Sequence, residues 1–236
     1  MSEPLPIIGV SLGHRHERTG LAVVERPYVP VSAPYNFSRH TRTGETFWEA
    51  RQDVKTEYHV RHLERQGPPS RYAKVATRVA DIAEEIARDF LMVVDVTATG
   101  RPAYSLILGE LFSRKLGDRG QRFVHGPVTV TAIAGGVSKS PDAGHLIPRR
   151  DLISATQILF DQGQLKIAAS LSLAGVLKDE LLGFSSKPPK PDTLEGWREG
   201  KNDDLVLAVA TSAWAAERFL KKREWLPANA LEAVGS

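Results

Sequence analysis

Residues 90 to 95 read FLMVVD, an apolar run that ends on a carboxylate, and they follow directly on a stretch with helical periodicity. From Arg71 to Asp89, the residues Tyr72, Val75, Val79, Ile82, Ala83 and Ile86 recur at spacings of three and four, the pattern of an amphipathic helix. A strand that is apolar on both faces has to lie inside a covered sheet. Helix followed at once by buried strand therefore restricts the chain to an α/β layered architecture.

The neighbouring segments extend that pattern. Residues 6 to 12 (PIIGVSL) and 20 to 26 (GLAVVER) are short, β-branched and separated by the polar GHRHERT, which predicts an antiparallel hairpin. TEYHVRHLERQ alternates imperfectly, as a half-exposed third strand can, and GPVTVTAIAGG predicts a further strand. Helices are predicted from Pro102, over IPRRDLISATQILFDQG up to Gly163, and over LSLAGVLKDELLGF. The last helix spans NDDLVLAVATSAWAAERFLKKREWL, with Asn202 placed to cap it, Asp203 and Asp204 in its first turn and Lys221, Lys222 and Arg223 at its basic end. Residues 27 to 55, rich in proline and polar side chains, read as an inserted excursion, and KPPKPD as a stiff spacer. One domain over residues 1 to 236 is expected, a central mixed β-sheet of about five strands flanked by helices, with 221 to 236 as a C-terminal tail.

Composition narrows the function classes. With 236 residues, 42% of them hydrophobic, the chain can bury a sizeable core. A net charge of +3 and a pI of about 9.2 permit a nucleic-acid partner without announcing one. The absence of cysteine excludes a disulfide scaffold, a thiolate zinc site and a cysteine nucleophile, and fits a reducing interior. No segment approaches the ~18 apolar residues of a membrane span, and MSEPLPIIG lacks the features of a signal peptide, so a cytoplasmic protein is expected.

In mixed sheets of this kind functional side chains gather at strand ends. Three places qualify: Ser11 at the end of the first strand, Asp95 at the end of FLMVVD, and Asp203 with Asp204 at the start of the last helix. Asp95 is either a paired structural aspartate or a cation ligand, since a desolvated carboxylate needs one or the other. The Asp203 and Asp204 pair, taken alone, reads first as a helix cap, since carboxylates are common in a first helical turn, and only second as part of a site. Taken jointly, carboxylates from a strand end and from a helix beside the sheet can converge on hard divalent cations, and two such ions can activate water for phosphodiester hydrolysis.

In five segments, IIGVSLGHRHERTGLAVVE, YHVRHLERQGPPSRYAKVATRVADI, LMVVDVTATGRPAYSLIL, IPRRDLISATQILFDQGQLKIA and NDDLVLAVATSAW, the chain resembles the nuclease domain of phage terminase large subunits. The segments run in the family's order from about residue 7 to 216, and residues 27 to 55 are the main part without a match. The resemblance implies an RNase H-like (RuvC-like) fold and an endonuclease acting on double-stranded DNA with two Mg or Mn ions. It implies acids from the first strand, from the strand of Asp95, and from the last helix at Asp203 and Asp204 as catalytic metal ligands. It implies other phage packaging proteins as partners. At the first-strand position this sequence departs from the family: SLG stands where aspartate, one residue and glycine are expected, so Ser11 withholds a bridging carboxylate. Glu17 matches a peripheral acidic position in the turn. The alternative reading is a DNA-binding or packaging-assembly protein that keeps the fold and has lost turnover; a relative acting on RNA hybrids or branched DNA is a third, because fold does not select substrate.

Other motifs carry less. His14 and His16, as alternate residues on one face, could ligate a metal or contact phosphate, but an exposed charged turn is the better explanation; His125 and His145 have no spacing signal. AGGVSKSPD lacks the glycine before lysine of a phosphate-binding loop, because Ser138 stands there, and Pro141 stands where the helix should start, so no nucleotide cofactor is expected. Ser11 is not in a nucleophile elbow. Arg101, Arg149 and Arg150 fall in loops where a DNA backbone could pass, and Arg39, Arg42 and Arg51 with Phe37 and Trp48 form a basic and aromatic stretch of the kind that contacts nucleic acid. Each of these arginines is also explained as solvated surface charge, and Trp197 and Trp214 as packing residues.

Overall fold

The structure, a computed structural model, describes residues 4–13, 17–40, 42–67, 71–97, 99–116, 123, 126–133, 136–140, 144–185, 203–220 and 223–227. His14, His16, His125, Trp197, Asn202, Lys221 and Lys222 lie outside the described residues. The strands are β1 (Pro6–Ser11), β2 (Thr19–Glu25), β3 (Tyr28–Pro30), β4 (Tyr35–His40), β5 (Thr46–Thr56), β6 (Tyr58–Gln66), β7 (Leu91–Asp95), β8 (Val128–Ile133), β9 (His145–Pro148), β10 (Leu165–Ile167) and β11 (Trp225–Pro227). The helices are α1 (Tyr72–Ile86), α2 (Arg101–Ser113), α3 (Arg149–Asp161), α4 (Ala174–Ser185) and α5 (Asp204–Phe219).

Seven strands form the main sheet in the order β10-β6-β2-β1-β7-β8-β9. The five that the sequence predicts are the contiguous middle, β6-β2-β1-β7-β8, and the short β9 and β10 extend it at either edge. β1 pairs antiparallel with β2, from Pro6 opposite Glu25 to Ser11 opposite Gly20, and parallel with β7, from Ile7 opposite Leu91 to Ser11 opposite Asp95. β8 and β9 continue parallel to β7, so β1, β7, β8 and β9 all end at the same edge.

Alternation along these strands divides the core into two layers. Ile8, Val10, Met92 and Val94 face α1 and α2, where they meet Val75, Val79, Ile82, Ile107 and Leu111. Ile7, Leu91 and Val93 face the other way, toward Leu152 of α3, Leu177 and Leu181 of α4, and the run Leu205–Ala210 of α5. Each fully buried aliphatic of this size contributes roughly 1.5–3 kcal/mol. α1 stops where Ala87 turns left-handed (φ 54°) and its N–H closes on the Ala83 carbonyl. α5 is buried on almost every side from Asp204 to Ala216, which explains why apolar residues surround it completely.

Residues 27 to 55 are more regular than their composition predicts. β4 and β5 form an antiparallel hairpin, β3 pairs with β5, and β11 completes a second, four-stranded sheet. The end of the chain corrects one expectation: the last helix closes at Phe219, before its basic residues, and Trp225–Pro227 pairs with β5 as a strand. Burial of Leu226 and the hydrogen bond from the Val54 N–H to the Glu224 carbonyl (2.9 Å) outweigh local helix propensity there.

α5 approaches the β1–β2 hairpin at two glycines. A methyl group on Gly9 would collide with the Ala208 carbonyl and the Ser212 hydroxyl, and one on Gly20 with the Asp204 carbonyl. Gly9→Ala is expected to cost at least about 2 kcal/mol, because neither the strand nor the helix backbone can yield. The check is urea unfolding, which should give a lower midpoint at unchanged slope.

Candidate active site at the strand ends

Ser11 and Asp95 are register partners at the ends of two parallel strands, so their side chains project from the same face. That face is the one α5 covers, since Gly9, two residues before Ser11, lies against Ala208 and Ser212. Both are buried, Ser11 at 5% exposure and Asp95 at 4%. The Asp95 Oδ1 accepts the Thr97 backbone N–H at 2.9 Å and also the Thr97 hydroxyl. Thr97 Oγ1 in turn accepts the Ala132 N–H at 2.7 Å, which ties the carboxylate to β8. Burial pushes the Asp95 carboxyl above the usual carboxylate range, against the pull of the Thr97 donors and of Arg149.

The two aspartates of α5 separate. Asp203 occupies the N-cap position without a capping hydrogen bond from its side chain, and its carboxylate is ion-paired with Arg149, the first residue of α3. The Arg149 guanidinium is itself largely buried, and its charge interacts with Asp95 and Glu17 as well. Burial lowers the Arg149 pKa from its ordinary value, and those two carboxylates oppose the shift. Asp204 instead accepts the Arg65 Nε–H at 2.8 Å. Arg65 also donates to Glu180 of α4, and the other Glu180 oxygen accepts the Val206 N–H at 3.2 Å, satisfying an amide in the first turn of α5. Asp203 therefore faces Arg149 and the strand ends, whereas Asp204 belongs to a brace that holds the helix terminus on β6 and α4.

Among the described residues no three His, Asp or Glu side chains are grouped so as to hold a metal ion. The groups nearest to such a cluster are Asp203, ion-paired with Arg149, and Asp95, which has the Ser11 hydroxyl adjacent and whose charge, like that of Glu17, acts on the same guanidinium. Such a set fits one hard divalent cation that keeps most of its waters, and does not fit two, for which the missing first-strand carboxylate would have to bridge.

The remaining predicted residues are dispersed. Arg101 opens α2 after β7, and Arg150 follows Arg149 at the end of β9; both are exposed, at the strand ends where Ser11 and Asp95 lie. Arg39 and Arg42 are exposed on the β4–β5 hairpin of the second sheet, where the Arg51 guanidinium stacks 3.6 Å from the Phe37 ring centre. His145 is on β9, edge-on to Trp214 and Phe219. A cavity of about 590 Å³ lined by Tyr58, Leu152, Trp214 and Glu217 includes none of Ser11, Asp95 or Asp203. Sequence reasoning misses Thr97, Arg65 and Glu180. Thr97 carries a weak signal, a hydroxyl two residues beyond a strand-end aspartate; Arg65 and Glu180 are far from Asp204 in sequence and carry none.

A mixed sheet with a hairpin leading into parallel strands, covered by helices on both faces, is the RNase H-like fold. The human cytomegalovirus terminase nuclease domain, in a structure soaked with Mn, shares it with a TM-score of 0.51 at 12% identity, over 96% of this chain and 89% of that one. The Mn-soaked, inhibitor-bound structure of that domain gives 0.50 at 14% identity, over 91% and 84%. The large terminase nuclease from thermophilic phage G20c gives 0.45 at 15% identity, over 91% and 83%. No protein-family model matches the sequence, and no curated protein matches it. At such identities the likeness to the cytomegalovirus domain establishes the fold alone.

One guanidinium shared by two buried carboxylates leaves the Arg65 brace a negative charge in excess. Glu180 is accordingly pushed up to about 7 from an ordinary 4.5, by burial first and by Asp204, against the pull of Arg65. A raised carboxyl pKa means that the folded chain holds a proton the unfolded chain releases. Its stabilising contribution is thus complete below about pH 4.5 and is lost as the pH rises through 7. Glu180→Gln should remove that part of the decline, measured as a flatter dependence of unfolding free energy on pH in this window than in the native chain.

Proposed function

We propose that this chain is a terminase-like nuclease of the RNase H-like superfamily that hydrolyses DNA phosphodiesters with a divalent cation, Mg or Mn. The reading is supported by the Asp203–Arg149 ion pair beside the strand ends, with the Asp95 charge acting on the same guanidinium, on a fold shared with a terminase nuclease domain. Asp95 and Asp203 would hold the ion, with Ser11 beside them. Bound there, the ion supplies Lewis-acid stabilisation of a phosphate oxygen and a lowered pKa for its water.

The chain's own residues do the positioning. Thr97 orients Asp95, and the Arg65, Asp204 and Glu180 brace fixes the first turn of α5 and so presents Asp203. Arg101 and Arg150 offer phosphate contacts at the same edge, contacts that position a duplex without reading its sequence. A second ion would need the carboxylate for which Ser11 stands. DNA in a phage-infected cytoplasm and other packaging proteins are the partners this reading supplies.

A second reading, a DNA-binding or assembly protein without turnover, is favoured by Ser11 and by the ion pair that already neutralises Asp203. Cleavage of supercoiled plasmid by pure protein in Mg or Mn separates the two. Ser11→Asp should raise the rate by about tenfold or more, equivalent to ~1.4 kcal/mol of barrier, and Asp95→Asn should abolish cleavage. DNA retention with no cleavage by either the native chain or Ser11→Asp would establish the second reading in its place.

A further inference from the structure

Arg149 sits where electrostatics at its own helix disfavours it. It is the first residue of α3, and a cation there opposes the partial positive charge of the helix N-terminus. Its side chain is only 17% exposed, and its Nε is buried with no hydrogen-bond partner among the described residues. A guanidinium cannot relieve this by losing its proton. What holds it is Asp203 in direct ion pair, with the charges of Asp95 and Glu17 acting on the same guanidinium. β1 ends in Ser11 where a further carboxylate would complete a metal site, and no three such groups cluster among the described residues.

A divalent cation needs the same oxygens that Arg149 engages. We propose that Arg149 and a divalent cation are alternative occupants of the position between Asp95 and Asp203, so that the ion enters only as the guanidinium withdraws. The inference rests on the proposed function only in naming the ion. The adjoining surface is where Arg150, next in sequence, stands with 55% of its side chain exposed. There a DNA phosphate offers the released guanidinium a bidentate partner. Because whatever draws Arg149 out also vacates the ion's position, duplex DNA and metal bind with positive linkage. The chain's own cation thereby keeps the site closed to metal until a polyanion is present.

The test is isothermal titration of Mn into native protein and Arg149→Gln without DNA. The variant is expected to bind at least tenfold more tightly, and to gain thermal stability on Mn addition where the native chain gains little. Equal or weaker affinity in the variant, or no binding by either chain, overturns the proposal. Should the variant not fold, the native chain decides through the NMR resonance of the Arg149 Nε–H during a Mg titration. That resonance should move in step with ion binding, and ion binding with the resonance unmoved overturns the idea. A non-cleavable duplex should tighten Mg binding by the native chain and not by Arg149→Gln; an unchanged native affinity with DNA bound removes the linkage. A native chain that binds no DNA and cleaves none defeats the proposed function, while the free-protein titrations still judge Arg149.

Discussion

The close approach of α5 to the β1–β2 hairpin governs everything that happens at the strand ends. Two positions without a side chain, Gly9 and Gly20, let helix and sheet backbones come into contact, and α5 is consequently buried along almost its entire length. A helix so deeply set has no freedom to slide, because its Leu205–Ala210 run is interlocked with the sheet face. Its first turn is thus delivered beside the ends of β1 and β7, and Asp203 arrives near a carboxylate that is 108 positions away in the chain, 203 less 95. Without that contact Asp95 would be a lone buried acid.

Charge compensation is the second theme, and it is divided between two arginines. Arg65 reaches from β6 to a carboxylate on α5 and another on α4, a brace that joins three elements through one planar donor. Arg149 does the corresponding work at the strand ends, between Asp203 and Asp95. Breaking either cluster by deleting its cation leaves carboxylates buried without a counter-charge, a situation that typically costs about 3–5 kcal/mol. The two clusters differ in what else can satisfy them. Arg65 is enclosed by structural elements, whereas Arg149 is the cation we propose a metal ion replaces.

Most of the architecture was legible along the chain. FLMVVD after the amphipathic Arg71–Asp89 segment becomes β7 after α1, and the PIIGVSL and GLAVVER runs become β1 and β2, because periodicity and β-branching report burial directly. The elements that escaped are short or patternless: β9 and β10 have four and three residues, too few to show a period, and the hairpin of β4 and β5 is solvated and mixes exposed aromatic with charged residues. The end of α5 escaped for another reason, since the strand Trp225–Pro227 exists only because β5 is there to pair with it.

The site divides in the same way. By itself the sequence determined the strand-end serine and aspartate, the acidic pair at the head of the last helix, and the layered fold that would bring them together, because each depends on local pattern or on residue type. Only the tertiary structure decided that Asp203 and Asp204 part company, that Thr97 secures Asp95, and that Arg149 lies among the carboxylates and not at a free surface. Those outcomes are set by which side chains meet across elements distant in sequence. Ion pairing in a buried site is a property of that meeting, and no spacing along the chain encodes it.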